Sequence, residues 1–153
     1  MWKSEFSDIL PLLGHRNWVL VVDKAYPLQS ASGIKYINSG QPLDLVLTEV
    51  LRQIDLASHV KPVIYTDKEL TQLANIGDKE AEMVDTLNKI FNGREVQSLL
   101  HDLVFEKLDA ASKLFNVVVI KTESTVAYSS VFFELDCGYW NAEKEQKLRE
   151  LLK

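Results

Sequence analysis

The chain has 153 residues, 46% of them hydrophobic and 25% charged, with a formal net charge of −5. That is enough apolar material for one compact soluble domain with a real core, and no second domain is required. The acidic balance, without a lysine or arginine cluster, argues against a nucleic-acid or anionic-membrane surface. The sequence opens Met1-Trp2-Lys3-Ser4-Glu5, without the uninterrupted apolar core of a signal peptide, and no stretch approaches the roughly 18 apolar residues of a membrane span. A cytoplasmic protein is expected. Cys137 is the single cysteine, so no internal disulfide forms, and nothing around it has zinc-ligand spacing.

In chain order, Phe6, Ile9, Leu10 and Leu13 recur at helical spacing, with Pro11 requiring that this helix be short or end early. Trp18 to Val22 is an apolar run that reads as a short buried strand, bounded by Gly14-His15-Arg16-Asn17 and by Asp23-Lys24-Ala25-Tyr26-Pro27. It places an imidazole and a carboxylate at opposite ends of one strand. After a loop over Ser30 to Gly33, Gly33 to Ile37 reads as a second strand, closed by the turn Asn38-Ser39-Gly40. Leu43, Val46, Leu47, Val50, Leu51 and Ile54 describe an amphipathic helix opened by Pro42. Val60 to Tyr65 predicts a third strand, followed by Thr66-Asp67-Lys68-Glu69, which has the spacing of a capping box. Helices are expected from Asp67 to about Leu73 and from Asp78 to Phe91, the second closed by Asn92-Gly93. Glu95 to Leu100 fits neither period cleanly. Phe105 to Leu114 is expected to be helical, Asn116 to Lys121 carries a β-branched run, Val131 to Leu135 reads as a strand, and Glu143 to Leu152 as a terminal helix behind Asn141.

Alternating strands and helices imply an α/β fold: a single-domain three-layer sandwich with a central, largely parallel sheet and helices on both faces. Ligands gather at the carboxyl ends of strands in such folds, which is where Asp23 falls. No glycine-rich dinucleotide fingerprint, Walker-type loop, His-Glu-x-x-His or nucleophile elbow occurs. His59 reads as a surface residue before Val60, Asp67 and Glu69 as cap residues, and the charges from Glu143 to Glu150 as a solvated helical face. His15, Asp23, His101, Asp102 and Tyr128 remain, each at an element boundary. Taken singly, each is as well explained by a cap, a solvated loop or a rim aromatic as by chemistry.

The run from Leu12 to Leu56 resembles the family of D-ribose pyranases and L-fucose mutarotases. Gly14-His15, the strand, Asp23 eight positions after the histidine, and Pro27 match that family's first block, with Lys24 where its alanine usually stands. Gly40-Gln41-Pro42 and the following helix are similar to its Gly-x-Pro segment, and Val60-Lys61-Pro62-Val63 falls where its third strand is expected. More loosely, Phe105-Glu106-Lys107, Val117 to Lys121, Glu123 and Tyr128 resemble its late helix, strand, Gly-Glu and Tyr-x-Asn. Coverage extends to about Gly138, so that 139–153 reads as a C-terminal helical extension of a 1–138 domain. Asn17, Thr122 and Ser130 stand where the family commonly has aspartate, glycine and asparagine.

The resemblance implies a monosaccharide mutarotase or pyranase that opens and recloses a reducing sugar without metal or cofactor. Proton transfer is the chemistry required, and histidine suits it near neutral pH. The resemblance assigns His15 as a proton carrier, Asp23 as its partner or a sugar ligand, and Tyr128 as a contact near the ring or anomeric oxygen. Counting back from Phe105, the family's second basic position falls on Asp102, with His101 beside it offering the expected chemistry. Asp102, Ser130 and Lys24 are expected to touch substrate. It also implies a ring-shaped homo-oligomer, a decamer among the options, with sites at subunit interfaces. The rival expectation is a non-catalytic sugar-binding or interaction protein that keeps the fold. A phosphosugar enzyme is weaker, since only Lys24 and Lys35 could cradle a phosphate.

Overall fold

The computed structural model of the chain describes residues 1–153. Six strands form one sheet: β1 (Trp18–Val22), β2 (Ile34–Asn38), β3 (Val60–Asp67), β4 (Val96–Leu99), β5 (Val117–Lys121) and β6 (Val131–Cys137). Their spatial order is β2-β5-β1-β6-β3-β4. β1, β2 and β5 pair in parallel, as do β3 and β4, while β6 runs antiparallel to both β1 and β3. Five strands therefore share one direction, and β6 is the exception. Because β6 is reversed, the segment preceding it ends up at the carboxyl rim, beside the residues that follow β1 and β3.

Helices α1 (Trp2–Ile9), α2 (Leu43–Leu56), α3 (Lys68–Leu73) and α4 (Asp78–Phe91) cover one face, and α5 (His101–Ser112) covers the other. The first layer closes over Phe6, Val46, Leu47, Val50, Ile54, Val19, Val21, Ile120, Phe133 and Leu135, all fully or nearly fully buried. The second packs Val104 and Leu108 of α5 on Trp18, Leu20, Val119 and Phe132. β1 is buried at every position because helices sit on both sides of it, which is why its sequence is an unbroken apolar run. The three-layer α/β sandwich expected from the alternation is the fold observed. No helix is long and apolar enough to cross a membrane.

Local departures have identifiable causes. Pro11 tightens the end of the first helix into a single 3-10 turn, Leu10–Leu12. The carbonyls exposed there, those of Leu10 and Leu13, lie 3.2 and 3.0 Å from His59 Nε2, so His59 is half-buried rather than a free surface residue. Thr66 and Asp67 belong to β3, which is two residues longer than expected, and no side chain caps α3. The capping box is therefore absent. Glu69 instead accepts the His101 N–H with both carboxylate oxygens, at 2.9 and 3.1 Å. That carboxylate caps α5 from another element, so α5 begins at His101 and not near Phe105. The ambiguous stretch is β4, paired to β3 along Ile64↔Val96 to Asp67↔Leu99. The terminal helix α6 (Ala142–Leu151) is capped by Asn141, whose side chain accepts the Lys144 N–H at 2.8 Å, and buries none of its residues.

Candidate active site at the carboxyl rim

Asp23 follows β1, Asp67 ends β3, His101 starts α5 after β4, and Tyr128 and Ser130 precede β6. Parallel strands plus one reversed strand bring these termini to a single rim, where they line a cavity of about 350 Å³ with Ala25, Tyr26, Pro27, Phe105 and Ala127. Of the hollows in the molecule, this one holds a histidine bonded to a buried carboxylate. His101 Nδ1 lies 2.8 Å from Asp67 Oδ2, with the histidine side chain 35% and the aspartate 1% exposed. The His101 backbone is pinned at the same time by Glu69, so ring and main chain are both fixed.

Asp67 is the electrostatic centre of this arrangement. Burial pushes its carboxyl from 3.8 up to about 6; the His101 bond and charge oppose that shift, and Glu69 and Asp23 add to it. Its second oxygen, Oδ1, is buried without a hydrogen-bond partner. A carboxylate accepting from Nδ1–H holds the imidazole in one tautomer and leaves Nε2 as the acceptor. The ring rests against Phe105, centroids 4.5 Å apart, and meets Tyr128 edge-on at 5.4 Å. Tyr26 stacks on Phe105 at 6.1 Å, and burial drives its phenol pKa far upward, so it stays neutral.

Asp23 is held by Ser130. The Ser130 hydroxyl donates to Asp23 Oδ1 at 2.8 Å and accepts the Asp23 N–H at 3.0 Å. Its one hydrogen is thus spent on Asp23. Tyr128, 38% exposed, has φ +62°, a left-handed conformation that costs a non-glycine residue about 1–2 kcal/mol.

The other expected site residues lie elsewhere. His15 precedes β1 and therefore occupies the opposite, amino rim, with the length of β1, about 13 Å at 3.3 Å per residue, between the two rims. There its Nδ1 is 3.0 Å from Asp136 Oδ1, with the ring 56% exposed. Lys24 Nζ pairs with Glu123, and neither it nor Asp102, exposed in the first turn of α5, borders the cavity. Of His101 and Asp102, it is His101 that lines the cavity. Asp67 and Phe105 were not singled out in the sequence as site residues. Asp67 carried a usable signal, since it stands at the carboxyl end of a parallel strand as Asp23 does, but its position before a helix suggested a cap. No group of three or more His, Cys, Asp or Glu side chains is placed to hold a metal ion.

The protein is thus a largely parallel α/β sheet with a histidine–carboxylate cavity at its carboxyl rim. Among solved structures, this chain is similar to RbsD of Bacillus subtilis complexed with D-ribose, at 20% identity over 87% of this chain and 92% of that one, with a TM-score of 0.63. It is also similar to the fucose mutarotase of Streptococcus pneumoniae in complex with L-fucose (20% identity, 86% and 91% covered, TM-score 0.58) and to FucU of Bifidobacterium longum (12%, 87% and 94%, 0.55). The chain has the fold of these proteins. No family model and no curated protein matches the sequence.

Proposed function

We propose that the protein is a monosaccharide mutarotase or pyranase, interconverting anomers or ring forms of a reducing sugar such as ribose or fucose at the carboxyl-rim cavity. The observation that carries the reading is the His101–Asp67 pair, one imidazole nitrogen tied to a buried carboxylate and the ring lining a cavity walled by aromatics. The fold shared with a D-ribose complex and an L-fucose complex supports it.

The reaction needs one proton removed and one delivered. His101 Nε2 takes the proton of the anomeric hydroxyl while the Tyr128 hydroxyl donates to the ring oxygen; the bond between the anomeric carbon and that oxygen breaks, leaving an open-chain aldehyde. Rotation presents the other carbonyl face, or another hydroxyl attacks. On reclosure the attacking hydroxyl returns its proton to Tyr128 and the new anomeric oxygen takes its proton from His101. No net proton or electron is consumed. Asp67 stabilises the imidazolium that forms between the two steps. Asp23, with Oδ1 fixed by Ser130, accepts from a sugar hydroxyl, and Phe105, Tyr26 and Pro27 present apolar surface to the sugar's C–H face.

His15 enters this reading only through assembly. In a head-to-tail ring the amino rim of one copy meets the carboxyl rim of the next, and His15 then acts as a proton carrier at the cavity mouth. The distance separating His15 from the cavity within one chain favours the second reading, a sugar-binding protein without catalysis. Exchange NMR on D-ribose, L-fucose and other aldoses separates the two. The proposal expects faster anomer exchange than in buffer, slowed roughly 10²- to 10⁴-fold toward the buffer rate in His101→Asn. Sugar binding by calorimetry without any rate enhancement supports the binding protein, and neither binding nor enhancement ends both readings.

A further inference from the structure

The segment between β5 and β6 carries four buried hydroxyl residues, Thr122, Ser124, Ser129 and Ser130, at 1, 9, 0 and 4% exposure. Buried hydroxyls are retained where they are bonded, and these form a ladder in two parts: Thr122, Ser124 and Ser129 bond through one another, Ser130 bonds Asp23, and the backbone joins the two. Thr122 Oγ1 donates to the Val22 carbonyl at 2.8 Å and accepts the Ser124 N–H at 3.2 Å. Ser129 Oγ donates to the Val126 carbonyl at 2.7 Å. A hydroxyl has a single hydrogen, so in the Ser124–Ser129 contact of 2.9 Å the donor is Ser124, whose oxygen in turn accepts the Val126 N–H at 3.3 Å. Ser130 then donates to Asp23 Oδ1 and accepts from Asp23 N, while the Ser124 carbonyl accepts the Lys24 N–H at 2.8 Å. Every hydroxyl hydrogen in the ladder is committed inside the protein.

We infer that Ser124, Ser129 and Ser130 are positioning residues: the ladder clamps the 122–130 segment so that Tyr128 is held in its left-handed conformation against His101, and Asp23 presents only its free oxygen to the ligand. Two facts point the same way. The strained residue, Tyr128, lies between the anchors at Val126 and Ser129, where the closed turn over-determines its backbone. Ser130 also has no hydrogen left for a ligand, so its contribution reaches the ligand through Asp23. Ligand recognition then comes from Asp23, Tyr128 and His101, whereas the serines set their geometry. For catalysis this inference rests on the mutarotase reading; for geometry it stands without it.

The test uses Ser129→Ala and Ser130→Ala in the full chain, with Ser130→Thr as the conservative control. Without sugar, the His101 Cε1–H resonance reports the Tyr128 edge contact and the Phe105 ring. The ladder predicts that Ser129→Ala moves this resonance toward its random-coil position while the amide spectrum stays folded. In exchange NMR, Ser130→Ala should raise KM more than it lowers kcat, with about a tenfold to hundredfold loss in kcat/KM, and Ser130→Thr should restore it. Should Ser129→Ala fail to fold, Ser124→Ala carries the same resonance test from the donor side of the hydroxyl pair. An unmoved His101 resonance, or a Ser130→Ala variant with parental KM, overturns the inference. If the parent protein accelerates no aldose, the mutarotase reading fails, and the resonance alone decides the ladder.

Discussion

Asp67→Asn tests the electrostatics of the site through folding stability. In the unfolded chain this carboxyl loses its proton near 3.8, whereas burial in the folded protein holds it until about pH 6. Between those values the native state keeps a proton that the unfolded state has released, so raising the pH through this window costs stability. A difference of about two pH units at 1.36 kcal/mol each sets a ceiling of roughly 3 kcal/mol, reduced to the extent that the His101 imidazolium compensates the charge. Asparagine keeps an oxygen for His101 Nδ1 at the same position but has no proton to lose. Urea unfolding of parent and variant at half-unit steps from pH 3.5 to 7.5 gives the difference, with the titrations of groups remote from Asp67 cancelling and the coupled His101 setting how far the loss falls below the ceiling. The expected result is a parent that loses between about 1 and 3 kcal/mol relative to Asp67→Asn from pH 4 to pH 6.5, and no further change above it. A difference that stays flat, or that rises with pH, would show that Asp67 is not held as a buried, reluctantly ionised acid.

Tyr128→Gly should separate strain from chemistry. Glycine takes the left-handed backbone without penalty, so stability should be unchanged or about 1 kcal/mol higher in urea melts, while aldose exchange in the NMR assay falls at least about tenfold for want of the phenol. Gly138→Ala places a Cβ 2.7 Å from the Ser58 carbonyl oxygen and 2.9 Å from Val60 N, both backbone atoms that cannot swing away; a loss of about 1–3 kcal/mol in calorimetric melting is expected. Phe133→Ala removes a fully buried ring at the junction of β1, β6 and β3 and should cost about 3–5 kcal/mol by denaturant titration. Removing residues 142–153 deletes a helix none of whose own residues is buried and should shift stability by no more than about 0.5 kcal/mol; a larger loss would show that α6 contributes to the folded domain.

Most of the secondary structure is legible in the residues because it follows from local periodicity. The apolar stripe Leu43 to Ile54 could bury itself only as a helix, and the unbroken run Trp18 to Val22 only as a strand covered on both faces. Asn92, at φ +45°, and Gly93, at φ +82°, end α4 where their backbone freedom indicates. The start of α5 is not legible, because its cap is a carboxylate 32 residues earlier in the chain. His59 is misread for the same reason, since its partners at Leu10 and Leu13 are more than 45 positions away.

The sequence by itself determined an α/β sandwich and, through its family resemblance, named candidates for a site: His15 and Asp23 at the two ends of the first strand, His101 or Asp102 ahead of a late helix, and Tyr128 before the last strand. Only the tertiary structure decided which of these meet. Reversal of β6 brings Tyr128 and Ser130 beside Asp23, and the end of β3 delivers a buried Asp67 to His101, whereas the direction of β1 carries His15 to the other rim. Local pattern reports which face a side chain takes within its own element. Strand direction and strand order, which decide the rim at which a terminus emerges, are set by pairings between residues more than 100 positions apart, such as Trp18 with Glu134.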